Sequence, residues 1–178
     1  MKKNFISIVT PCFNEEPNVE KLYLEVSAIM KSLPYSYEYI FIDNCSTDTT
    51  VNIIKKLAKK DKNLKLIINA RNFGHIRSPQ HAIYQSTGDA CILLHADLQD
   101  PPSLLKEFIT QWEAGAKIVL GQKVDSEENK LMFHLRKKYY SLMNKISETQ
   151  IIENCTGFGL MDREVVNIMR KMNDPNPY

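Results

Sequence analysis

Asp97-Leu98-Gln99-Asp100-Pro101-Pro102 follows an apolar run, Cys91-Ile92-Leu93-Leu94, and precedes a helical pattern over residues 103–112. A carboxylate and an amide therefore stand just past the end of a buried strand, where open α/β sheets bind their ligands. Asp97 and Gln99 are two apart, so in an extended segment their side chains point the same way. Two oxygens on one face suit a hard divalent cation that also holds phosphate oxygens. Asp100, with Pro101 behind it, reads as the cap of the next helix. That leaves Asp97 and Gln99 without a structural task.

Outward from this stretch, strand-like and helix-like patterns alternate. Strands are expected over 5–10, 37–42, 64–68, 90–94 and 118–120. Helices are expected over 17–33, 48–60, 75–86 and 104–112. The first carries Val19, Leu22, Val26, Ile29 and Met30 at helical spacing, the second Val51, Ile54, Leu57 and Ala58. Pro79 sits early in the 75–86 helix and weakens that assignment. The rhythm predicts an α/β fold, a Rossmann-like, mainly parallel sheet with helices on both faces. From about Glu127 the rhythm gives way to one long helix over 131–146, which mixes Phe133, Leu135, Tyr139 and Met143 with Arg136, Lys137, Lys138 and Lys145. Such a basic aromatic helix suits a membrane surface, or the sheet face of an ordinary domain.

Composition narrows the function classes. The chain has 178 residues, enough for one domain with a real core, and a net charge of +2, which argues against a general nucleic-acid grip. No apolar run approaches a membrane span. Cys12, Cys45, Cys91 and Cys155 are far apart with no CxxC pair, as in the reduced thiols of a cytosolic protein. The ending, Asp174-Pro175-Asn176-Pro177-Tyr178, reads as a turn leading onward, so a longer native chain is expected.

The loops after the strands of a doubly wound sheet gather along one edge. They are Pro11-Cys12-Phe13-Asn14-Glu15-Glu16, Asp43-Asn44-Cys45-Ser46-Thr47-Asp48, Arg71-Asn72-Phe73-Gly74-His75 and the Asp97 loop. No GxGxxG or GxxxxGKS loop is present, which disfavours dinucleotide enzymes and P-loop ATPases. Asn14 and Asp48 have the bland reading of helix caps. Asp43 ends an apolar strand several residues before the next helix, and a carboxylate there can accept hydrogen bonds from a nucleobase edge. Arg71 directly follows a strand and reads as facing a ligand.

These loops, in this order, resemble glycosyltransferase family 2 with the GT-A fold, in the branch of dolichol-phosphate mannose synthase and bacterial polyprenyl-phosphate sugar transferases. The resemblance runs through Ser7-Ile8-Val9-Thr10-Pro11-Cys12-Phe13-Asn14-Glu15-Glu16 and Phe41-Ile42-Asp43-Asn44-Cys45-Ser46-Thr47-Asp48. It continues in Arg71-Asn72-Phe73-Gly74-His75, Thr87-Gly88-Asp89-Ala90, Ala96-Asp97-Leu98-Gln99-Asp100-Pro101-Pro102 and Thr156-Gly157-Phe158-Gly159-Leu160-Met161-Asp162-Arg163.

The resemblance implies a UDP- or GDP-sugar donor, a Mg²⁺ or Mn²⁺ ion, and inversion at the anomeric carbon. Pro11, Phe13, Asn14, Glu15, Asp43, Ser46, Arg71 and Ala96 would serve the donor. Asp97 and Gln99 would hold the metal and carry the catalytic role, and Thr156 and Gly157 would lie on the acceptor side. The acceptor is a polyprenyl phosphate or a saccharide hydroxyl, and the lipid alternative implies work at the cytoplasmic face of a membrane. A nucleotide-sugar-binding module without activity is the reading from another class.

Three departures stand out. His95-Ala96-Asp97 replaces Asp-x-Asp, so His95 is either a softer ligand or a packing residue. Asp43-Asn44-Cys45-Ser46 replaces Asp-Asp-Gly-Ser. Arg77-Ser78-Pro79-Gln80-His81 replaces a small apolar helix start, which makes Arg77 a candidate phosphate ligand.

Overall fold

In this computed structural model the described residues are 5–122, 155–172 and 174. The elements are β1 (Phe5–Cys12), α1 (Val19–Lys31), β2 (Ser36–Asp43), α2 (Thr50–Ala58), β3 (Leu64–Ile68), α3 (Gly74–Gln85) and β4 (Ala90–Leu93). A 3₁₀ turn (Pro102–Leu104) then leads to α4 (Leu105–Glu113), β5 (Ile118–Gln122), β6 (Cys155–Asp162) and α5 (Arg163–Met172). The helix expected over 131–146 lies outside the described residues. The chain divides into two compact units, residues 1–119 with 158–178, and residues 120–157.

Six strands form one sheet in the order β3-β2-β1-β4-β6-β5. β1 runs parallel to β2 and β4, and β2 parallel to β3, while β6 is antiparallel to β4. The mainly parallel expectation holds.

Successive strand residues point to opposite faces, and that alternation sorts the core in two. Ile6 and Ile8 of β1, Tyr37, Tyr39 and Phe41 of β2, and Ala90 and Ile92 of β4 pack with Leu22 and Val26 of α1, Ile54 of α2, and Leu105 and Phe108 of α4. Val9, Ile40, Ile42 and Cys91, one step out of phase, pack with Ala82 and Ile83 of α3 and Val166 of α5. Helices thus cover both faces, as the alternating pattern predicts. α3 runs through Pro79, which is buried but can donate no bond to the His75 carbonyl one turn back.

The Thr87-Gly88-Asp89 segment works at the sheet edge opposite the exit loops. Phe5 N–H donates to Asp89 Oδ2 at 2.9 Å, and Gly88 N–H donates to Ser7 Oγ at 2.8 Å. A Cβ on Gly88 would lie 2.6 Å from Ser7 N and 2.7 Å from Phe5 O, so only glycine allows this approach. Arg163 Nε donates to Gly88 O at 2.6 Å, which ties the start of α5 to the same corner.

β6 and α5 were not anticipated. Gly157 and Gly159 blur the alternation over β6. Asp162 ends that strand and accepts from Glu164 N–H at 2.9 Å and from Trp112 Nε1 at 2.7 Å, so it caps α5 and anchors α4. Burial alone would raise its carboxyl, but bonds from Trp112, Glu164 and Lys117 hold it below the ordinary range.

Candidate active site

The exit loops of β1 and β2 are stitched together by reciprocal hydrogen bonds. Asn14 N–H donates to Ser46 Oγ at 2.8 Å, and Thr47 N–H donates back to Asn14 Oδ1 at 2.8 Å. Glu15 N–H donates to Thr50 Oγ1 at 2.9 Å, Glu16 N–H to Asp48 Oδ2 at 3.2 Å, and Thr49 N–H to Glu16 Oε2 at 3.1 Å. Asp48 Oδ1 also takes Thr50 N–H at 2.9 Å, which braces the turn into α2, but the N-cap position is Thr49 and not, as expected, Asp48. Desolvation works against the charged Asp48 carboxylate, and these bonds outweigh it and lower its pKa. Asn14 does not cap α1. It adopts φ 56° and links the two loops instead.

A second set of bonds joins the β2 and β3 exit loops through Asn44, which is 7% exposed. Its Nδ2 donates to Asn72 Oδ1 at 2.8 Å and to Gly74 O at 3.2 Å. Its Oδ1 accepts from Phe73 N–H at 2.9 Å and from Asn69 Nδ2 at 3.2 Å. Sequence reasoning assigned Asn44, Asn69 and Asn72 no role. The signal available was an asparagine after each of two strands, which is also ordinary turn composition.

Between these loops and the β4 exit lies a cleft of about 380 Å³. Pro11, Phe13, Glu15, Ala96 and Asp97 of the predicted set line it, along with Cys12, Asn44, Asn72, Gly74, His75, Ser78, Pro79 and His95. Phe13 is 44% exposed and offers a flat apolar face. α3 begins at Gly74 on the cleft wall, where the partial positive charge of a helix N-terminus favours an anion. Burial, with the Asp43, Glu15 and Asp48 carboxylates nearby, pushes the Cys12 thiol far up.

Four expectations need correction. The Asp97 segment is a turn rather than an extended strand, with Leu98 at φ 59°. Gln99 therefore does not share a face with Asp97 by strand alternation; its backbone N–H donates to Asp97 Oδ1 at 3.1 Å. Asp100 does not cap the helix that follows, whose first turn has no side-chain cap bond. It is buried, and its Oδ2 lies 3.5 Å from His95 Nδ1.

Asp43 does have a structural task. It is fully buried, and its Oδ2 accepts from Cys45 N–H at 3.1 Å and Ser46 N–H at 2.9 Å, closing its own loop. Finally, the predicted cations are not on the cleft wall. Arg71 stacks its guanidinium 4.5 Å over the Phe73 ring. Arg77 lines an adjoining cavity of about 310 Å³ with Asn69, Phe73, Ser78 and His81. Thr156 and Gly157 lie in β6, within the second compact unit.

The sequence is 37% identical over 172 residues to "Bactoprenol glucosyl transferase" of Shigella phage SfX, covering 96% of this chain and 56% of the relative. It is equally similar, with the same coverage, to the "Prophage bactoprenol glucosyl transferase homolog" of Escherichia coli K12. The chain thus spans about half the length of the curated relatives it matches.

Among solved structures, the fold resembles mannosyltransferase PcManGT from Pyrobaculum calidifontis in complex with GDP-Man and Mn²⁺. The TM-score is 0.63 at 17% identity, covering 95% of this chain and 47% of that one. It also resembles glucosyl-3-phosphoglycerate synthase from Mycobacterium tuberculosis, in complex with Mn²⁺, UDP-Glc and phosphoglyceric acid. There the TM-score is 0.63 at 20% identity, covering 90% and 57%. The description "Glycosyl transferase family 2" fits residues 7–168, and with that span the chain belongs to glycosyltransferase family 2, on a GT-A-like sheet.

Proposed function

We propose that this chain is the donor-binding catalytic part of a metal-dependent, inverting glycosyltransferase that moves a sugar from a nucleoside diphosphate to a polyprenyl phosphate at a membrane surface. One observation carries the reading. Four strand-exit loops line a single cleft with Asp97 on it, in a chain 37% identical over 96% of its length to a protein named bactoprenol glucosyl transferase.

The donor set suits an ion that arrives with its substrate. Among the described residues no three His, Cys, Asp or Glu side chains converge as a ready cage. Asp97 is exposed, and among the described residues its carboxylate accepts from Gln99 N–H at Oδ1. Mg²⁺ and its congeners are commonly held by one or two carboxylates plus substrate phosphates. When bound, Mg²⁺ or Mn²⁺ neutralises charge that builds on the departing nucleoside diphosphate.

The residues of the chain do the rest. Pro11 and Phe13 seat the base, and Glu15 reaches the same wall. Asn14, Asp43 and Ser46 hold the loops that shape this seat. The N-terminus of α3 faces the diphosphate, and Asp97 holds the metal end. Thr156 and Gly157 belong on the acceptor side by motif resemblance. A phosphate oxygen of the lipid attacks the anomeric carbon opposite the diphosphate. The new C–O bond forms as the old one breaks, with inversion. That oxygen is already ionised at neutral pH, so the chain needs no strong general base.

The test is incubation with sugar-labelled UDP-glucose or GDP-mannose, Mn²⁺ and a short polyprenyl phosphate. Label should move into organic solvent. Label that instead joins a saccharide and stays in water would overturn the acceptor class. Absence of both donor binding and donor turnover would overturn the enzyme.

A further inference from the structure

We infer that His95 is a nitrogen ligand to the divalent ion of the donor, held in register by Asp100, so that this chain prefers a transition-series ion such as Mn²⁺ to Mg²⁺. The inference rests on the proposed donor site and adds to it the ligand set and the ion it selects.

His95 and Asp97 line the same cleft, with buried Ala96 between them. The His95 side chain is 34% exposed, and that of Asp100 only 10%. The Nδ1 edge of the ring is thus turned toward a buried carboxylate at 3.5 Å, which leaves Nε2 for the cleft.

Asp100 lacks the other task a carboxylate in its place would have, since no side chain caps the helical turn that follows. A buried carboxylate requires a partner, and among the described residues the His95 ring is the side chain that faces Asp100, Nδ1 to Oδ2. No carboxylate pairs in this way with His75, the other histidine of the cleft, among the described residues.

A histidine ligand characteristically has its other ring nitrogen held by a carboxylate, which fixes the tautomer and the ring orientation. Here that carboxylate is already in place. Imidazole nitrogen binds first-row transition ions far better than it binds Mg²⁺, which favours oxygen. With Asp97 supplying an oxygen, the chain offers one N and one O donor. The remaining positions are left to diphosphate oxygens and water.

The experiment is pulsed electron paramagnetic resonance of Mn²⁺ bound to the full chain with UDP or GDP. The unaltered protein should show the ¹⁴N coupling of a directly bound imidazole, and [¹⁵N]histidine labelling should replace it with the ¹⁵N pattern. The labelling arm needs no substitution. The coupling should vanish in His95→Ala and His95→Asp, and His95→Asp should also lower the preference for Mn²⁺ over Mg²⁺. Asp100→Asn should weaken Mn²⁺ binding about 10–100-fold, as loss of the group orienting a metal ligand does.

Mn²⁺ bound through oxygen alone overturns the inference and leaves the donor site standing. A nitrogen coupling that survives His95→Ala assigns the ligand to another residue and also overturns it. No Mn²⁺ bound with either nucleotide overturns the inference and the donor site together.

Discussion

Asp97 sits on a turn closed by Leu98 at φ 59°, and the other two non-glycine residues with positive φ among those described are Asn14 and Cys45, at 56° and 71°. Each lies on a strand-exit loop of the candidate site. A left-handed backbone costs an L-residue about 1–2 kcal/mol, and such strain collects where a loop must present particular groups. Asp97→Asn should leave the melting temperature nearly unchanged and slow transfer about 10²–10³-fold, the size of losing one preorganised electrostatic contact in an active site. Rates at saturating donor check this, and near-normal turnover would remove Asp97 from the chemistry. Asp43 is a different case, because its carboxylate is buried and serves its own backbone. Asp43→Ala gives up two hydrogen bonds to a charged group and should cost about 2–4 kcal/mol of stability. A urea melt measures that cost. An unchanged midpoint with weakened nucleotide affinity would return Asp43 to a direct role at the base.

At the scale of elements, the site is a set of loops held by bonds between loops. Asn44 uses both its donor and its acceptor capacity to set the path from Phe73 into α3. An aspartate here would keep the acceptor and lose the amide donors to Asn72 and Gly74. Asn44→Ala leaves the Phe73 N–H without its acceptor and should cost about 1–3 kcal/mol. The cost should be local. Amide exchange at Phe73 should accelerate, and nucleoside diphosphate affinity should fall, while exchange in β1 stays slow. Unchanged exchange at Phe73 would show that the loop holds its path without Asn44.

Across the whole molecule, the sheet carries its site at one edge and a clasp at the other. Glu38 is 2% exposed and joins four strands or their flanks. It accepts from Ser7 Oγ at 2.6 Å, Lys65 Nζ at 2.5 Å, Thr87 N–H at 2.7 Å and Thr87 Oγ1 at 2.9 Å. Desolvation alone would raise the carboxyl, but the bonds from Lys65, Ser7 and Thr87 outweigh it and lower the pKa below the ordinary value. A carboxylate with a depressed folded-state pKa contributes stability above its unfolded pKa, and that contribution is lost as pH falls through the folded value. Glu38→Gln should therefore cost about 1.5–3 kcal/mol at neutral pH. The gap between variant and parent should close as pH drops below the usual glutamate range. Denaturant melts across that range check the sign, and a gap that widens in acid would contradict it.

The alternation of strand-like and helix-like segments, with near-continuous apolar runs such as Tyr39-Ile40-Phe41-Ile42 and Cys91-Ile92-Leu93-Leu94, is a local property of the chain. It was enough to determine the parallel sheet, its two covered faces and the gathering of exit loops at one edge. The position of Asp97 after β4 followed from the same pattern. The direction of β6 did not, because its glycines carry no alternation and strand pairing with β4 is a tertiary contact. The tasks of polar groups were also decided in three dimensions. Asn14 meets Thr47 and Asn44 meets Asn72 across 33 and 28 residues of sequence. Asp100 looked like a cap until folding put His95 beside it. A hydrogen bond is chosen by which groups arrive within about 3 Å of each other, and tertiary packing, not local pattern, sets that distance.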